Sequence, residues 1–246
     1  MKPIIYHTGF TPPPSMDIDG FEICYYPVLK VEYISSNTPQ DISDFIQLDP
    51  IILIMSKNAV IGLDKWFAHF NLKSDFFSDT KFWTVGDRTH ACLKKILGIQ
   101  AFYPDKMTGQ GIIEALKKKN RSRVLLIAGQ KPRQEFIEGF SIAQINFFHF
   151  PVYNIHIEEN SYFFADFQNI ESNYLIITSP SSVDGILKSL SLVDLTNLKN
   201  RLISIGPTTS AAIRQKGGDV FLESEVQSIH ALYDNLDSLI LTHSDS

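Results

Sequence analysis

Residues 174–187 read YLIITSPSSVDGIL, an apolar run that changes at Ser179 into the start of a helix. Residues 51–63 read IILIMSKNAVIGL and make the same change at Ser56, 123 positions earlier. A continuous apolar run of this length is typical of a strand buried on both faces of a parallel sheet. A serine between such a strand and a helix is a favoured N-cap. The two stretches therefore predict two copies of one strand-to-helix unit.

The duplication continues on both sides of these stretches. Gly86 and Gly206 each follow a short apolar strand and precede a helix, and they are 120 positions apart. Pro27 and Pro151 each stand before a valine and an extended, alternating segment, and they are 124 positions apart. Nearly constant offsets indicate a chain built from two similar halves.

The halves alternate strands with helices, which predicts parallel sheets with helices on both faces. The matched helices end at Gly98 and Gly217, and each is followed by a short strand and then by a capped helix, from Thr108 or from Ser224. The predicted fold class is α/β, with two similar doubly wound, flavodoxin-like domains joined by a two-stranded extended hinge. A cleft between two such domains is a favoured place for a ligand.

Composition limits the possible partners. The chain has 246 residues, 44% of them apolar, and a net charge of −5, which gives no support for a nucleic-acid or membrane-surface partner. The two cysteines, Cys24 and Cys92, are far apart in sequence and favour a reducing compartment over a disulfide framework. The N-terminal segment is too short for a secretory signal, and no apolar run is long enough to span a membrane, so we expect a soluble, cytoplasmic protein.

Motifs for the commonest cofactors are missing from the sequence. A GxGxxG after a strand, a GxxxxGK[ST] loop and a GxSxG elbow are all absent, and the histidines are scattered without metal-ligand spacing. We therefore predict no cofactor and no metal site.

Hydroxyl residues stand at the strand-to-helix turns instead. The carboxyl ends of parallel strands form the ligand-binding edge of such sheets, and the helix N-termini there carry a partial positive charge that suits carboxylates or phosphates. The same residues could equally be ordinary N-caps, which prefer serine and threonine. The candidates are Ser56, Thr89, Ser179, Ser182, Thr208 and Thr209.

Basic residues near these turns are candidates for pairing with an anion. They are Lys57, Arg88 and Arg133, although each could be a solvated surface charge. Tyr153 lies in the second extended segment, where an aromatic side chain can either pack or face a cleft.

Several stretches together resemble the uroporphyrinogen-III synthase family. The strongest are ITSPSSVDGIL (177–187), ISIGPTTSAAIRQKGG (203–218) and the closing VQSIHALYDNL (226–236). FPVY (150–153), with its tyrosine, and the first-half stretches MSKNAV (55–60) and VGDRT (85–89) match more weakly, so that the resemblance covers nearly the whole chain.

The resemblance implies a crossed arrangement of the domains. Residues 1–27 would join residues 158–246 in one domain, residues 34–150 would form the other, and residues 28–33 and 151–157 would be the hinge connectors. A contiguous split near residue 120 fits the repeat equally well on the residues alone.

The chain departs from the family pattern at basic positions. Many members carry an arginine directly after the first strand, where this chain reads HTGFTPPP (7–14). The strand at 123–128 is often followed by an Arg-Gly pair, where this chain has Ala128 and Gly129, although Arg133 follows closely.

The family's activity implies roles for the candidate residues. Its members close hydroxymethylbilane, a linear tetrapyrrole, into a ring with loss of water and inversion of the last pyrrole. By resemblance, Tyr153 would donate a hydrogen bond or a proton to the leaving hydroxyl. The predicted substrate-binding residues are Ser56, Lys57, Thr89, Arg133, Ser179, Ser182, Thr208 and Thr209.

Two other functions fit the same sequence features. One is a non-catalytic, two-lobed protein that binds a small anion, and the other is a degenerate relative that binds a tetrapyrrole without turnover, because a fold does not fix a function. For the enzyme we expect a monomer with a small-molecule substrate.

Overall fold

The computed structural model describes residues 2–78, 80–119, 122–236, 238 and 240. This part of the chain contains ten strands and nine α-helices, with a short 3-10 helix at Ser74–Phe77. The strands are β1 (Ile4–His7), β2 (Glu22–Tyr25), β3 (Leu29–Tyr33), β4 (Ile51–Ile54), β5 (Lys81–Thr84), β6 (Arg123–Gly129), β7 (Asn146–Ile157), β8 (Tyr174–Ile177), β9 (Arg201–Ser204) and β10 (Val220–Glu223). The helices are α1 (Pro39–Ile46), α2 (Lys57–His69), α3 (Asp87–Leu97), α4 (Gly109–Lys118), α5 (Gln134–Ile142), α6 (Ser161–Asp166), α7 (Pro180–Ser189), α8 (Pro207–Gln215) and α9 (Ile229–Asp234).

The chain divides into two compact units. The first unit contains the residues up to Lys30 together with those from His156 onward, and the second unit is Val31–Ile155. The first unit is therefore discontinuous in sequence, whereas the second is one uninterrupted stretch.

The sheet of the first unit has the strand order β10-β9-β8-β1-β2, and all four neighbouring pairs are parallel. β1 and β8 are buried along their whole length, as the apolar run of β8 predicts. Alternate residues face two cores, so that Leu175 and Ile177 pack on one side while Ile176 packs on the other.

The second sheet has the order β3-β7-β6-β4-β5, in which β7, β6, β4 and β5 are mutually parallel. Its strand β4 is also buried on both faces: Ile52 and Ile54 belong to one core and Ile51 and Leu53 to the other. The short strand predicted to follow Gly98 is reduced to a single bridge between Phe102 and Trp83. The prediction of an α/β fold with mostly parallel sheets is confirmed.

The duplicated turns have nearly the same geometry in the two units. Ser56 caps α2 with φ −160° and ψ 167°, and Ser179 caps α7 with φ −161° and ψ 157°. α3 ends at Gly98 in the left-handed conformation, with φ 69°, and Gly217 after α8 has φ 77°, as predicted for helix stops.

The helix predicted from Ser224 begins later than expected. α9 starts after Ser228, and the Ser224 hydroxyl donates to the Val226 carbonyl at 2.7 Å, which forms a local turn rather than a cap. Such short serine turns compete with helix capping. The helix predicted from Thr108 is confirmed, since Thr108 Oγ1 accepts from the Gly111 amide at 3.1 Å.

Across the described ranges, none of the helices is long and apolar enough to cross a membrane.

Candidate functional site

The hydroxyl residues predicted from the sequence follow the carboxyl ends of the strands in their own sheets. In the second unit, Ser56 follows β4 and caps α2, with its Oγ accepting from the Ala59 amide at 3.1 Å. Thr89 lies in the first turn of α3, after β5, and its side chain is buried. Because β4 and β5 are parallel neighbours, both helix N-termini lie at one edge of this sheet.

Ser56 and Tyr153 are brought together although they are 97 positions apart in sequence. The Tyr153 hydroxyl lies 3.2 Å from Ser56 Oγ, where either oxygen can donate. Ser56 therefore has two partners, the Ala59 amide of its own helix and the phenol of β7. This contact makes Ser56 more than an isolated cap, and it places a phenol at the N-terminus of α2.

Gly129, at the end of β6, lies under the ring of Tyr153. A Cβ atom at Gly129 would stand 2.9 Å from Tyr153 Cζ, closer than real Cβ atoms approach another group, and 3.2 Å from its hydroxyl, which is also a tight contact. Gln130 donates its amide to the Tyr153 carbonyl at 2.7 Å. The glycine of the Ala128-Gly129 pair thus allows the close seating of this tyrosine, a relationship that the sequence did not reveal.

His149 supports the same strand end from the neighbouring strand β7. Its Nε2 lies 3.0 Å from the Gly129 carbonyl, and because a carbonyl only accepts, Nε2 carries the proton. Burial lowers the pKa of His149, an effect that the bond to Gly129 partly opposes. The imidazole is therefore neutral at pH 7 and donates to the carbonyl of the glycine against which Tyr153 packs.

The basic candidates of the second unit lie on the surface. Lys57 is exposed at the start of α2, and Arg88 is exposed in the first turn of α3. Arg133 precedes α5 and forms an exposed ion pair with Glu135 at 3.7 Å. Within the described part of the chain, these three side chains do not enter the hydrogen bonds of Ser56 and Tyr153.

In the first unit, Ser179 and Ser182 form one hydroxyl pair at the N-terminus of α7. Their Oγ atoms are 2.8 Å apart, and Ser179 Oγ also accepts from the Ser182 amide at 3.2 Å. Ser182 is fully buried, whereas Ser179 is partly exposed. Only Ser179 of this pair has a side chain that a ligand could approach directly.

Thr208 and Thr209 occupy the first turn of α8 and differ in exposure. Thr208 is exposed, and Thr209 is buried with 3% of its surface accessible. Ser210, which the sequence analysis passed over, is buried and bonded to Ser204 Oγ at 2.6 Å. Thr208 is therefore the hydroxyl of this turn that is open to a ligand.

His7, at the end of β1, is a buried residue that the sequence analysis missed. The Tyr233 hydroxyl donates to its Nδ1 at 2.9 Å, and its Nε2 donates to the Thr11 carbonyl at 2.9 Å. Burial lowers the pKa of His7 to about 4, although the bond to Thr11 opposes this effect. A fully satisfied, neutral imidazole that joins β1 to α9 is a structural group.

The features at the strand ends are hydroxyls, backbone amides and helix N-termini, and the basic side chains of these turns are exposed. Such groups bind carboxylates and stabilise developing charge through fixed dipoles. Within the described ranges, histidine, cysteine and carboxylate side chains form no group of three that could hold a metal ion.

The fold and these strand ends define an α/β protein with two mostly parallel sheets and hydroxyl-lined helix N-termini. The chain belongs to the uroporphyrinogen-III synthase family, since the family model described as Uroporphyrinogen-III synthase HemD matches residues 17–234. Members of this family are cyclising hydro-lyases of tetrapyrrole biosynthesis that act on a small-molecule tetrapyrrole. The sequence-based prediction of this enzyme class is thereby confirmed, and the family does not favour a non-catalytic binding protein.

Solved structures of similar fold include proteins of the same description. Uroporphyrinogen-III synthetase from Helicobacter pylori shares 17% identity over 97% of this chain and 100% of its own, with a TM-score of 0.68. A mutant uroporphyrinogen III synthase from Thermus thermophilus shares 12% identity over 98% of this chain and 99% of its own, with a TM-score of 0.63. At these identities the likeness shows the fold alone. No individual curated protein matches the sequence.

Proposed function

We propose that this chain converts hydroxymethylbilane into uroporphyrinogen III, using the carboxyl edges of its two sheets as the substrate site. The contact between Tyr153 and Ser56 carries this assignment, because it joins a phenol to a helix N-terminus at the edge where parallel sheets bind ligands. The substrate bears an acetate and a propionate on each pyrrole, and helix N-termini with hydroxyl side chains suit such carboxylates.

Positioning is the main task of this site. The bilane can close without help to the wrong isomer, so the protein must hold the chain in the folded geometry that inverts the last ring. Ser56, Ser179 and Thr208 would bind carboxylates, beside the amides of their helices, and buried Thr89 would support the turn that begins α3. Lys57 and Arg133 would add charge at the margin, whereas buried Ser182 and Thr209 would support these turns from beneath.

Tyr153 would act on the leaving group. The terminal hydroxyl of the substrate leaves as water with a proton taken from solvent, and the phenol of Tyr153 donates a hydrogen bond to that oxygen as the C–O bond breaks; closure of the ring then returns one proton to solvent. The resulting carbocation is stabilised by its electron-rich pyrrole, so mild acid assistance is sufficient. The ring of Tyr153 against Gly129 and its hydroxyl on Ser56 hold the donor in place before the substrate arrives.

The proposed arrangement is two flavodoxin-like, doubly wound domains. One domain would contain residues 1–27 and 158–246, of which 1, 237, 239 and 241–246 lie outside the described residues. The other would be residues 34–150, and residues 28–33 and 151–157 would act as a hinge. We further propose a monomer that works in the cytoplasm without a nucleic-acid or membrane partner.

Product analysis tests this function most directly. Purified protein is added to hydroxymethylbilane, the products are oxidised, and the type I and type III isomers are separated by chromatography. We expect a shift from type I to type III relative to a blank without protein. Type I product alone, from protein shown to be folded by circular dichroism, would rule out the synthase assignment.

A further inference from the structure

A second tyrosine, Tyr33, stands beside Tyr153 in the same unit. The Ile34 amide donates to the Val152 carbonyl at 3.1 Å, which brings the adjoining residues of β3 and β7 next to each other. Burial raises the pKa of Tyr33, and the proximity of Tyr153 and Cys92 raises it further. Tyr33 is therefore a half-buried phenol that keeps its proton near Tyr153.

Lys65 brings a positive charge to this tyrosine. Its Nζ lies 5.2 Å from the centre of the Tyr33 ring, in the geometry of a cation–π contact. Lys65 belongs to α2, the helix whose N-cap is Ser56 and whose Gly62 packs against Val152. The same helix thus presents its N-terminus to Tyr153 and an ammonium group to Tyr33.

The charge of Lys65 has no carboxylate partner in the described part of the chain. Every ion pair found there involves other lysines or Arg133, and Lys65 itself is exposed. An ammonium over an aromatic ring keeps N–H groups directed away from the ring, where an anion can accept them. A phenol beside it adds a neutral donor, and hydrogen bonds from a charged donor to a carboxylate are the stronger kind.

We propose that Tyr33 and Lys65 together bind one carboxylate of the substrate next to Tyr153. This inference rests on the proposed function, because the substrate supplies the carboxylate. At the end of β6, Ala128 stands before Gly129, so this position offers no basic side chain for a carboxylate. Lys65 would supply charge from the side of α2 instead.

The test compares Tyr33→Phe, Lys65→Met and the double variant with the wild-type protein, using purified hydroxymethylbilane over a range of concentrations. We expect each single variant to raise KM about fivefold to tenfold and to change kcat by less than about twofold, since a binding contact is lost. The double variant should raise KM by less than the product of the single effects, because both groups hold one carboxylate. Added salt should raise KM for the wild type more than for Lys65→Met.

Matched controls separate binding from general surface effects. Tyr162→Phe removes a phenolic hydroxyl from a residue that is 77% exposed, and Lys94→Met removes an exposed lysine in the last turn of α3. Both controls should keep the wild-type KM. Unchanged KM in Tyr33→Phe and Lys65→Met, or strictly multiplicative effects in the double variant, would overturn the shared carboxylate site while leaving the synthase activity standing.

A binding measurement tests the carboxylate site even if the wild-type protein forms no type III product. The oxidised octacarboxylate uroporphyrin I is titrated into the same proteins, and its fluorescence reports binding. Affinity that falls in both variants but not in the controls would support the site although the proposed function had failed. Equal affinity in all the proteins would overturn the site as well.

Discussion

Gly62 of α2 lies directly against the backbone of Val152. A Cβ atom at Gly62 would stand 2.5 Å from the Val152 carbonyl oxygen, and the first unit repeats the relationship, with Gly185 of α7 only 2.8 Å from the Val28 carbonyl by the same measure. The glycines are 123 positions apart, as are their helix caps. In each unit, the first helix after the duplicated turn is therefore packed against an extended segment through a glycine.

Replacing Gly62 should destabilise the protein. In Gly62→Ala, the new methyl group has no room beside fixed backbone atoms, and we expect a loss of about 1–3 kcal/mol in the free energy of unfolding, as for other overpacked sites. Urea denaturation measures the change. Asp64→Ala, an exposed position of the same helix, is the control and should stay within about 0.5 kcal/mol of wild type. Equal stability of both variants would contradict the packing described for Gly62.

Two substitutions at Ser56 should separate its cap from its contact with Tyr153. Ser56→Ala loses both and should cost about 1 kcal/mol of stability, whereas Ser56→Asn can still cap α2 and should lose little. Both should lower the rate of type III product formation, because Tyr153 loses its partner. Thr108→Ala removes the cap of α4, where Thr108 Oγ1 accepts from the Gly111 amide, and shows the cost of a cap alone. Full activity in Ser56→Asn would show that Ser56 acts only as a structural cap.

Removing the hydroxyl of Tyr153 should slow the reaction without stopping it. Tyr153→Phe keeps the ring over Gly129, so the fold should be retained, while one hydrogen bond to the leaving oxygen is lost. We expect kcat to fall about tenfold to a hundredfold, the effect of losing about 1.4–2.7 kcal/mol of transition-state stabilisation. Single-turnover rates measure this step. A folded Tyr153→Phe protein with no detectable turnover would instead assign Tyr153 an essential chemical role.

His7 should make the stability of the first unit depend on pH. Its folded pKa of about 4 lies below the ordinary value of 6.5, so between these values the unfolded chain binds more protons than the folded one. Stability is therefore complete above about pH 6.5 and declines as the pH falls toward 4, by about 3 kcal/mol in all. His7→Gln cannot titrate but can both donate and accept, and its stability should vary less over this range. The free energy of unfolding is measured by denaturation at several pH values. If it decreases equally for the wild type and His7→Gln as the pH falls, His7 is not the source of the pH dependence.

Local patterns were sufficient to predict most of the fold. The apolar runs at β4 and β8, the caps at Ser56 and Ser179 and the helix stop at Gly98 each depend on a few neighbouring residues, and the structure places them as predicted. Ser224 was wrong as a helix start, since its hydroxyl donates to the Val226 carbonyl in a local turn and α9 begins only after Ser228. Propensity alone does not decide at which of several serines a helix begins.

The site could be predicted only in part. Sequence patterns identified the hydroxyls at strand ends, but they did not show that Ser182 and Thr209 are buried while Ser179 and Thr208 are accessible. The contact between Ser56 and Tyr153 depends on the order of β7, β6 and β4 in the sheet and on the absence of a side chain at Gly129. Such long-range relationships leave no local signal in a single sequence.

The central position of β1 in its sheet has a consequence for how the chain folds as it is synthesised. β1 pairs with β8 through residues such as Ile5 and Tyr174, so β1 must wait for this partner until more than half of the chain has followed it. Val31–Ile155, by contrast, is complete without any later residue. Since domains generally fold as units during synthesis and distant pairings form slowly, the middle of the chain can fold first while its N-terminal strand is still unpaired. The discontinuous unit is thus completed last, when the uninterrupted unit can already have folded.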